Sequence, residues 1–358
     1  MNIVTIVGAR PQFIKAAPVS KVLADVGVSE FLVHTGQHYD YEMSQIFFDE
    51  LDLRPPDINL AVGSGSHGRQ TGMMLIRIEE VLLNQRPDLV LVYGDTNSTL
   101  AGAIAATKLQ IPVAHIEAGL RSFNRTMPEE HNRVLTDHCA DLLFCPTQTA
   151  VDNLAREGIT RHVYLVGDTM YDAVITFGAL AQQRSRILDQ LDLTPEQYLL
   201  VTVHRPYNTD QPERLRAIIE ALIACREPVV FPVHPRTLAS LRKFDIIERL
   251  QNTVNVKVCE NFGYLDMLML EQHARLILTD SGGVQKEAYF FAVPCITLRP
   301  ETEWIETVDS GWNRLTDADT DRIIAAITDR WVPETRTAWF GDGTAAAKIV
   351  RILTERIG

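Results

Sequence analysis

Nineteen residues, from His115 to Arg133, hold Glu117, Glu129, Glu130, His115, His131, Arg121, Arg125 and Arg133. Their charges alternate in sign around Gly119 and follow Ile111-Pro-Val-Ala114, a short apolar run with the character of a buried strand. Ligands of α/β proteins bind at the carboxyl ends of strands, so ionisable groups placed there are candidates for acid–base work and ligand orientation. Asp95 follows the apolar run Pro87–Tyr93 in the turn Gly94-Asp-Thr96, where it is either a site acid or a turn and capping residue. Thr279-Asp-Ser-Gly-Gly-Val-Gln-Lys-Glu287 offers different chemistry. Free amides of Ser281, Gly282 and Gly283 at a helix start would cradle phosphate oxygens, and Glu287, one turn on, could accept bonds from vicinal ribose hydroxyls. Together they favour a nucleoside diphosphate over a lone phosphate. Gly8-Ala-Arg-Pro-Gln-Phe-Ile-Lys15 brings Arg10 and Lys15 to another strand-to-helix turn, a second anion site or a plain turn with two surface cations. It lacks the Gly-x-Gly-x-x-Gly spacing of a nicotinamide fingerprint.

Elements of one kind must position these residues. Strands are expected at 3–7, 31–35, 87–93, 112–114, 141–145 and 163–166, each handing over to a polar turn. Helices are expected at about 14–24, 69–84, 100–108, capped by Thr96 or Asn97, and 129–137. A second strand series is expected at 198–203, 228–233, 254–258, 274–278 and 294–298, with helices from about 264 and 284. Strand–helix alternation of this kind implies two doubly wound parallel sheets in an α/β fold, with a cleft between the halves. The first domain is expected over 1–168 and the second over 169–342, with a last helix near 343–358 packing back on the first. All four tryptophans, Trp304, Trp312, Trp331 and Trp339, fall in the tail and are expected to pack the last helices or a subunit contact.

A chain of 358 residues exceeds one ordinary core, which suits two domains. Its net charge of −12 argues against general nucleic-acid or anionic-membrane binding, though not against a local cluster of cations for an anionic small molecule. Five widely spaced cysteines without a Cys-x-x-Cys pair suit reduced thiols in a cytoplasm and indicate no cysteine zinc site. No apolar run approaches membrane-spanning length, and Met1–Val7 is too short for a signal segment.

Six ordered motifs, Gly8–Lys15, Gly94–Thr96, His115–Arg121, Pro128–Arg133, Val203–Arg205 and Asp280–Glu287, resemble the non-hydrolysing UDP-N-acetylglucosamine 2-epimerases, over nearly the whole chain. The resemblance implies two Rossmann-like domains of the GT-B type, a UDP-sugar substrate, no metal, no redox cofactor and a homodimer. It implies anti elimination of UDP to 2-acetamidoglucal and re-addition from the other face of C2. Asp95, Glu117 and Glu129 are then the acid/base set. His204, Arg10, Lys15 and the Ser281–Gly283 amides stabilise the leaving diphosphate. Arg133 orients Glu129 or reaches phosphate; His234 and Arg236 are weaker candidates.

Three departures stand out. Pro206-Tyr207 replaces the acidic residue common before the Asn of the 204–208 loop, and Trp304 stands where many bacterial relatives carry Arg. Gln37-His-Tyr-Asp40 differs from the Gln-His-Arg type associated with allosteric activation by a second UDP-GlcNAc, so that regulation is not carried over. The opening motif and Ser122-Phe-Asn-Arg125 also resemble epimerases of UDP-2,3-diacetamido-2,3-dideoxy-glucuronate. A GT-B glycosyltransferase or a non-catalytic sugar-nucleotide sensor would not call for three acid/base groups in the first domain.

Overall fold

The computed structural model describes residues 1–37, 48 and 50–357. The chain divides into two compact units, one of Met1–Thr176 with Ala338–Gly358, the other of Phe177–Thr337.

The first unit is built on a seven-stranded sheet in the order β3-β2-β1-β4-β5-β6-β7. Its strands are β1 Asn2–Val7, β2 Ser29–His34, β3 Ile58–Asn59, β4 Leu89–Tyr93, β5 Val113–Ile116, β6 Leu142–Cys145 and β7 Val163–Leu165, all paired in parallel. Among the described residues, helices of eight or more residues are α1 Arg10–Asp25, α2 His67–Gln85, α3 Asn97–Lys108, α4 Pro128–Cys139, α5 Gln148–Arg156 and α6 Thr169–Arg184, in which the boundary between units falls. Every residue of β4 is buried, as apolar runs covered by helices on both faces require. One face packs Val4, Ile6, Val90 and Val92 against Met74 and Ile78 of α2 and the alanines of α3.

The second unit repeats the plan with β8 Leu199–Thr202, β9 Val229–Pro232, β10 Val256–Cys259, β11 Leu276–Thr279, β12 Cys295–Thr297 and β13 Asn313–Leu315. Their order is β10-β9-β8-β11-β12-β13, again all parallel. Its described helices of eight or more residues are α7 Pro212–Ala224, α8 Pro235–Lys243, α9 Tyr264–Gln272, α10 Gly282–Phe290 and α11 Thr320–Thr328. Alternation along β8 explains its unbroken apolar sequence: Leu199 and Val201 join one core with Leu215, Phe231 and Ile323, while Tyr198 and Leu200 join another with Leu270 and Ala288.

The last helix, α12 Ala345–Ile357, belongs to the first unit and contacts α1. Asp172 of α6 accepts bonds from the Ala345 and Ala346 amides at 3.1 and 2.8 Å, satisfying donors that the helix itself leaves open.

Two differences from the expected elements have simple causes. Edge strands β3 and β13 span two and three residues, too few for an apolar run to reveal them. Helix α1 begins at Arg10 instead of Ile14 because Pro11 is compatible with a first turn, and Gln12 turns back to bond the Gly8 and Ala9 amides at 2.8 and 3.1 Å.

Candidate active site

In each sheet the strand order reverses direction at one place, between β1 and β4 in the first unit and between β8 and β11 in the second. Such switch points open a crevice at the strands' carboxyl ends. The proposed acid/base residues Asp95 and Glu117 follow β4 and β5, and Lys15 lies in α1 after β1. His204 follows β8, and Ser281 follows β11.

In the first unit, Glu117 is buried and its carboxylate forms an ion pair with Lys15. Its φ of +71° places a non-glycine residue in the left-handed region, a costly conformation. Neighbouring Gly94 has φ +63°, and a Cβ there would stand 3.1 Å from Glu117 Oε2. Glycine at 94 therefore serves both the turn and the approach of the carboxylate. Asp95, half-buried, pairs with Arg133, which also reaches Glu130 Oε2 at 3.2 Å. Asn132 holds the Asp95 carbonyl at 3.0 Å. Thr96 caps α3 by accepting from the Thr99 amide at 3.3 Å, so capping falls to Thr96 and leaves Asp95 to Arg133. Glu129 is half-buried in the first turn of α4, one turn before Arg133. Arg10 opens α1 and is exposed.

Other members of the charged stretch have structural duties. Glu130 accepts from the Ser122 amide and hydroxyl and from the Phe123 amide, all at 2.9 Å, and fastens that loop. His131 Nε2 lies 2.9 Å from the Arg125 carbonyl. Arg121 is buried between Asp137 and Glu157, which raise its pKa against the cost of burial. His115 and Asp137, also buried, bond each other at 2.7 Å.

Residues not singled out from sequence complete the frame. Gln12 Nε2 donates to the Tyr93 carbonyl at 2.7 Å and to Thr99 Oγ1 at 3.0 Å, tying the end of β4 to the turn after β1. Asn97 bonds Gln70 at 2.8 Å, and with Asn132 and His131 it lines a cavity of about 540 Å³ beside α2. A neutral glutamine in a turn carries no spacing or charge signal, so the sequence alone does not disclose this role of Gln12. Gln37 accepts from Ser98 Oγ at 2.7 Å, while the rest of Gln37-His-Tyr-Asp40 lies outside the described residues.

In the second unit, Asp280 is the organiser. Fully buried, it accepts from the His204 amide at 3.0 and 3.1 Å, from the Arg205 amide at 3.0 Å and from Asn208 Nδ2 at 3.0 Å. The 204–208 loop is thus fastened to the start of the glycine turn despite Pro206-Tyr207. Asp280 stood inside a motif dominated by its glycines, and only the fold discloses its partners. His204 is held below its ordinary imidazole value, first by desolvation and then by Arg205, His234 and Arg236, against the opposing charge of Asp280. Of its side chain, 37% still meets solvent, so the ring remains reachable by a ligand.

The cradle differs in one respect from the expected row of three free amides. The Ser281 amide donates to Thr279 Oγ1 at 2.9 Å, and the Ser281 hydroxyl caps α10. Gly282 and Gly283, the first two residues of α10, present the first-turn N–H groups that no helix can satisfy internally. Glu287 is buried and accepts from the Tyr264 hydroxyl at 2.8 Å, which orients its carboxylate. Trp304 is buried against Gly282, and the Lys286 ammonium lies 4.0 Å from the centre of its ring, so a cation is present beside position 304 although Arg is not. His234 accepts from the Arg236 amide at 3.2 Å as the cap of α8, and exposed Arg236 pairs with Asp210 at 3.1 Å.

All five cysteines are free thiols, and no described helix is long and apolar enough to cross a membrane.

Comparison with known proteins places this geometry. The family model for UDP-N-acetylglucosamine 2-epimerase matches residues 21–354. A UDP-N-acetylglucosamine 2-epimerase homolog of Methanococcus maripaludis is 55% identical, with 99% of both chains covered. The UDP-2,3-diacetamido-2,3-dideoxy-D-glucuronate 2-epimerase of Pseudomonas aeruginosa is 52% identical, with 88% of each chain covered. Among solved structures, Methanocaldococcus jannaschii UDP-GlcNAc 2-epimerase in complex with UDP-GlcNAc and UDP superimposes with a TM-score of 0.92 at 45% identity, covering 99% of this chain and 100% of that one. With its two parallel-sheet units of the GT-B type, this chain is an isomerase that belongs to the UDP-N-acetylglucosamine 2-epimerase family.

Proposed function

We propose that the chain inverts C2 of a UDP-N-acetylhexosamine, interconverting UDP-GlcNAc and UDP-ManNAc. A carboxylate takes the C2 proton, the C2–H electrons form the C1=C2 bond, and the anomeric C–O electrons leave with UDP. The bound 2-acetamidoglucal then receives a proton on the opposite face of C2, and the diphosphate oxygen re-adds at C1. One group cannot serve both faces, so two of Asp95, Glu117 and Glu129 are required. The observation that carries this reading is the convergence of Asp95 and Glu117 on adjoining turns, each carboxylate beside a cation. Charge developing on the diphosphate is met by His204 and the Gly282 and Gly283 amides, and Glu287 takes the ribose hydroxyls. A UDP-sugar, free thiols and the negative net charge suit a cytoplasmic enzyme, and a homodimer is the assembly we propose.

A second reading shares the chemistry and differs in the sugar. The 52% identity to the diacetamido-glucuronate epimerase supports a substrate bearing a 3-acetamido group and a C6 carboxylate. Pure protein in D2O with UDP-GlcNAc, and separately with the diacetamido-glucuronate, tests both by NMR at C2. Deuterium at C2 with appearance of the epimer is the expected outcome for the true substrate. Neither exchange nor epimer with either compound overturns the proposal, and free UDP with free ManNAc identifies a hydrolase instead.

A further inference from the structure

His115 lies in β5, wholly buried, two residues before Glu117. Its Nδ1 is 2.7 Å from Asp137 Oδ1 and its Nε2 is 2.7 Å from the Gly94 carbonyl oxygen. A carbonyl oxygen only accepts. Asp137 is acceptor-only when ionised, and both its oxygens already take donors: Gly119 N–H at 3.3 and 3.1 Å, and Arg121 Nη1 at 2.7 Å. Burial alone would raise the Asp137 carboxyl, but the bonds and charges of His115 and Arg121 outweigh it and hold that group below its usual range. Each ring nitrogen of His115 therefore faces an acceptor. A neutral imidazole has one N–H and would set a lone pair against an oxygen at one end.

We propose that His115 carries hydrogen on both ring nitrogens and, as a buried imidazolium, is the positioning residue that registers the three proton-transfer segments to one another. The charges of its surroundings balance. His115 and Arg121 are matched by Asp137 in the interior and by Glu157 at the surface, which takes Arg121 Nε and Nη2 at 2.7 Å each. The other facing group is the Cys145 thiol of β6, pushed up by burial and by Asp137 and thus uncharged.

The geometry explains what the arrangement does. Nε2–H holds the Gly94 carbonyl, the peptide group that leads directly into Asp95, while the Gly94 amide donates to the Ile116 carbonyl at 2.9 Å. Nδ1–H holds Asp137 near the end of α4, the helix whose first turns carry Glu129 and Arg133. Asp137 in turn takes the Gly119 amide, two residues after the strained backbone of Glu117. Asp95, Glu117 and Glu129 thus hang from one hydrogen-bonded pair. Proton transfer needs carboxylates placed to within a fraction of an ångström, and outer residues that orient reacting groups supply that precision.

The inference rests on the acid/base roles given above, and two measurements keep its failure distinct from theirs. In the full-length protein labelled with 15N-histidine, with signals assigned by loss in His115→Gln, both ring nitrogens of His115 are expected to show N–H correlations at pH 7. A nitrogen with a lone-pair shift at pH 7 overturns the imidazolium whatever the activity. In Asp137→Asn, C2 exchange is expected to fall about 10- to 100-fold in kcat while UDP affinity stays near that of the wild type. Wild-type kcat in folded Asp137→Asn overturns the positioning role, as does an equal loss of exchange and UDP binding. If Asp137→Asn does not fold, His115→Gln takes its place in the same comparison of exchange with UDP affinity, and wild-type kcat there again overturns the positioning role. Absence of exchange in the wild type instead removes the function reading and leaves the ring hydrogens to be judged on their own.

Discussion

Lys15 beside Glu117 and Arg133 beside Asp95 restrain the rotamers of both carboxylates and keep them aimed from their turns. Removing the basic oxygen while keeping the shape separates chemistry from binding. Glu117→Gln is expected to bind UDP normally and to lose C2 exchange by about 100- to 10,000-fold, as measured by NMR in D2O. Unchanged turnover would remove Glu117 from the mechanism. His204 supports a prediction about pH. Its value lies below the ordinary 6.5, so the ring is neutral at pH 7 and gains its charge only as pH falls through the lowered value. A protonated ring attracts a diphosphate. The ratio of wild-type to His204→Gln affinity for UDP should therefore grow from pH 7.5 to 5.5, a comparison in which titration of UDP itself cancels. Calorimetry checks this, and a flat ratio would count against contact with phosphate.

At the scale of elements, the turn after β4 has the least freedom. Gly94 is left-handed, its Cβ position is 3.1 Å from Glu117, and Thr96 caps α3 two residues later. Gly94→Ala should cost about 1–2 kcal/mol for the left-handed backbone, seen as a lower denaturant midpoint. Displacement of Glu117 should lower the exchange rate of the folded variant further than this stability loss explains. A variant with full activity would show that the carboxylate is not constrained there. Gly119 makes the same point for α5, since a Cβ there would meet the Ala150 carbonyl oxygen at 2.3 Å.

For the whole molecule, each unit has its own parallel sheet and its own cores, so a core defect should act first on the unit that carries it. Phe231→Ala, in the fully buried centre of the second unit, is expected to cost about 3–5 kcal/mol. UDP binding, which we assign to the second unit's cradle in the proposed function, should be lost at lower denaturant than the near-ultraviolet signal of Tyr93 and its first-unit neighbours. Coincident transitions would mean that the units unfold as one. Light scattering should give twice 40.2 kDa for the proposed homodimer, and a single-chain mass would exclude it.

Apolar runs such as Ile3–Val7 and Leu199–Val203 were legible because strands covered on both faces cannot hide their composition. The turns after β4, β5 and β11 were legible because polar residues and glycines interrupt the apolar runs there. Short edge strands β3 and β13 were not, since two or three residues carry no period. Nor were the duties of Gln12, Asp137 and Asp280, whose partners lie as far as 87 residues away along the chain. A polar side chain announces that it needs a partner but not which one. By itself the sequence determined the fold class and the types of group available for chemistry. Only the tertiary structure decided that Arg133 meets Asp95, that Lys15 meets Glu117, and that His115 stands between two acceptors, because hydrogen bonds are allotted by distance in space.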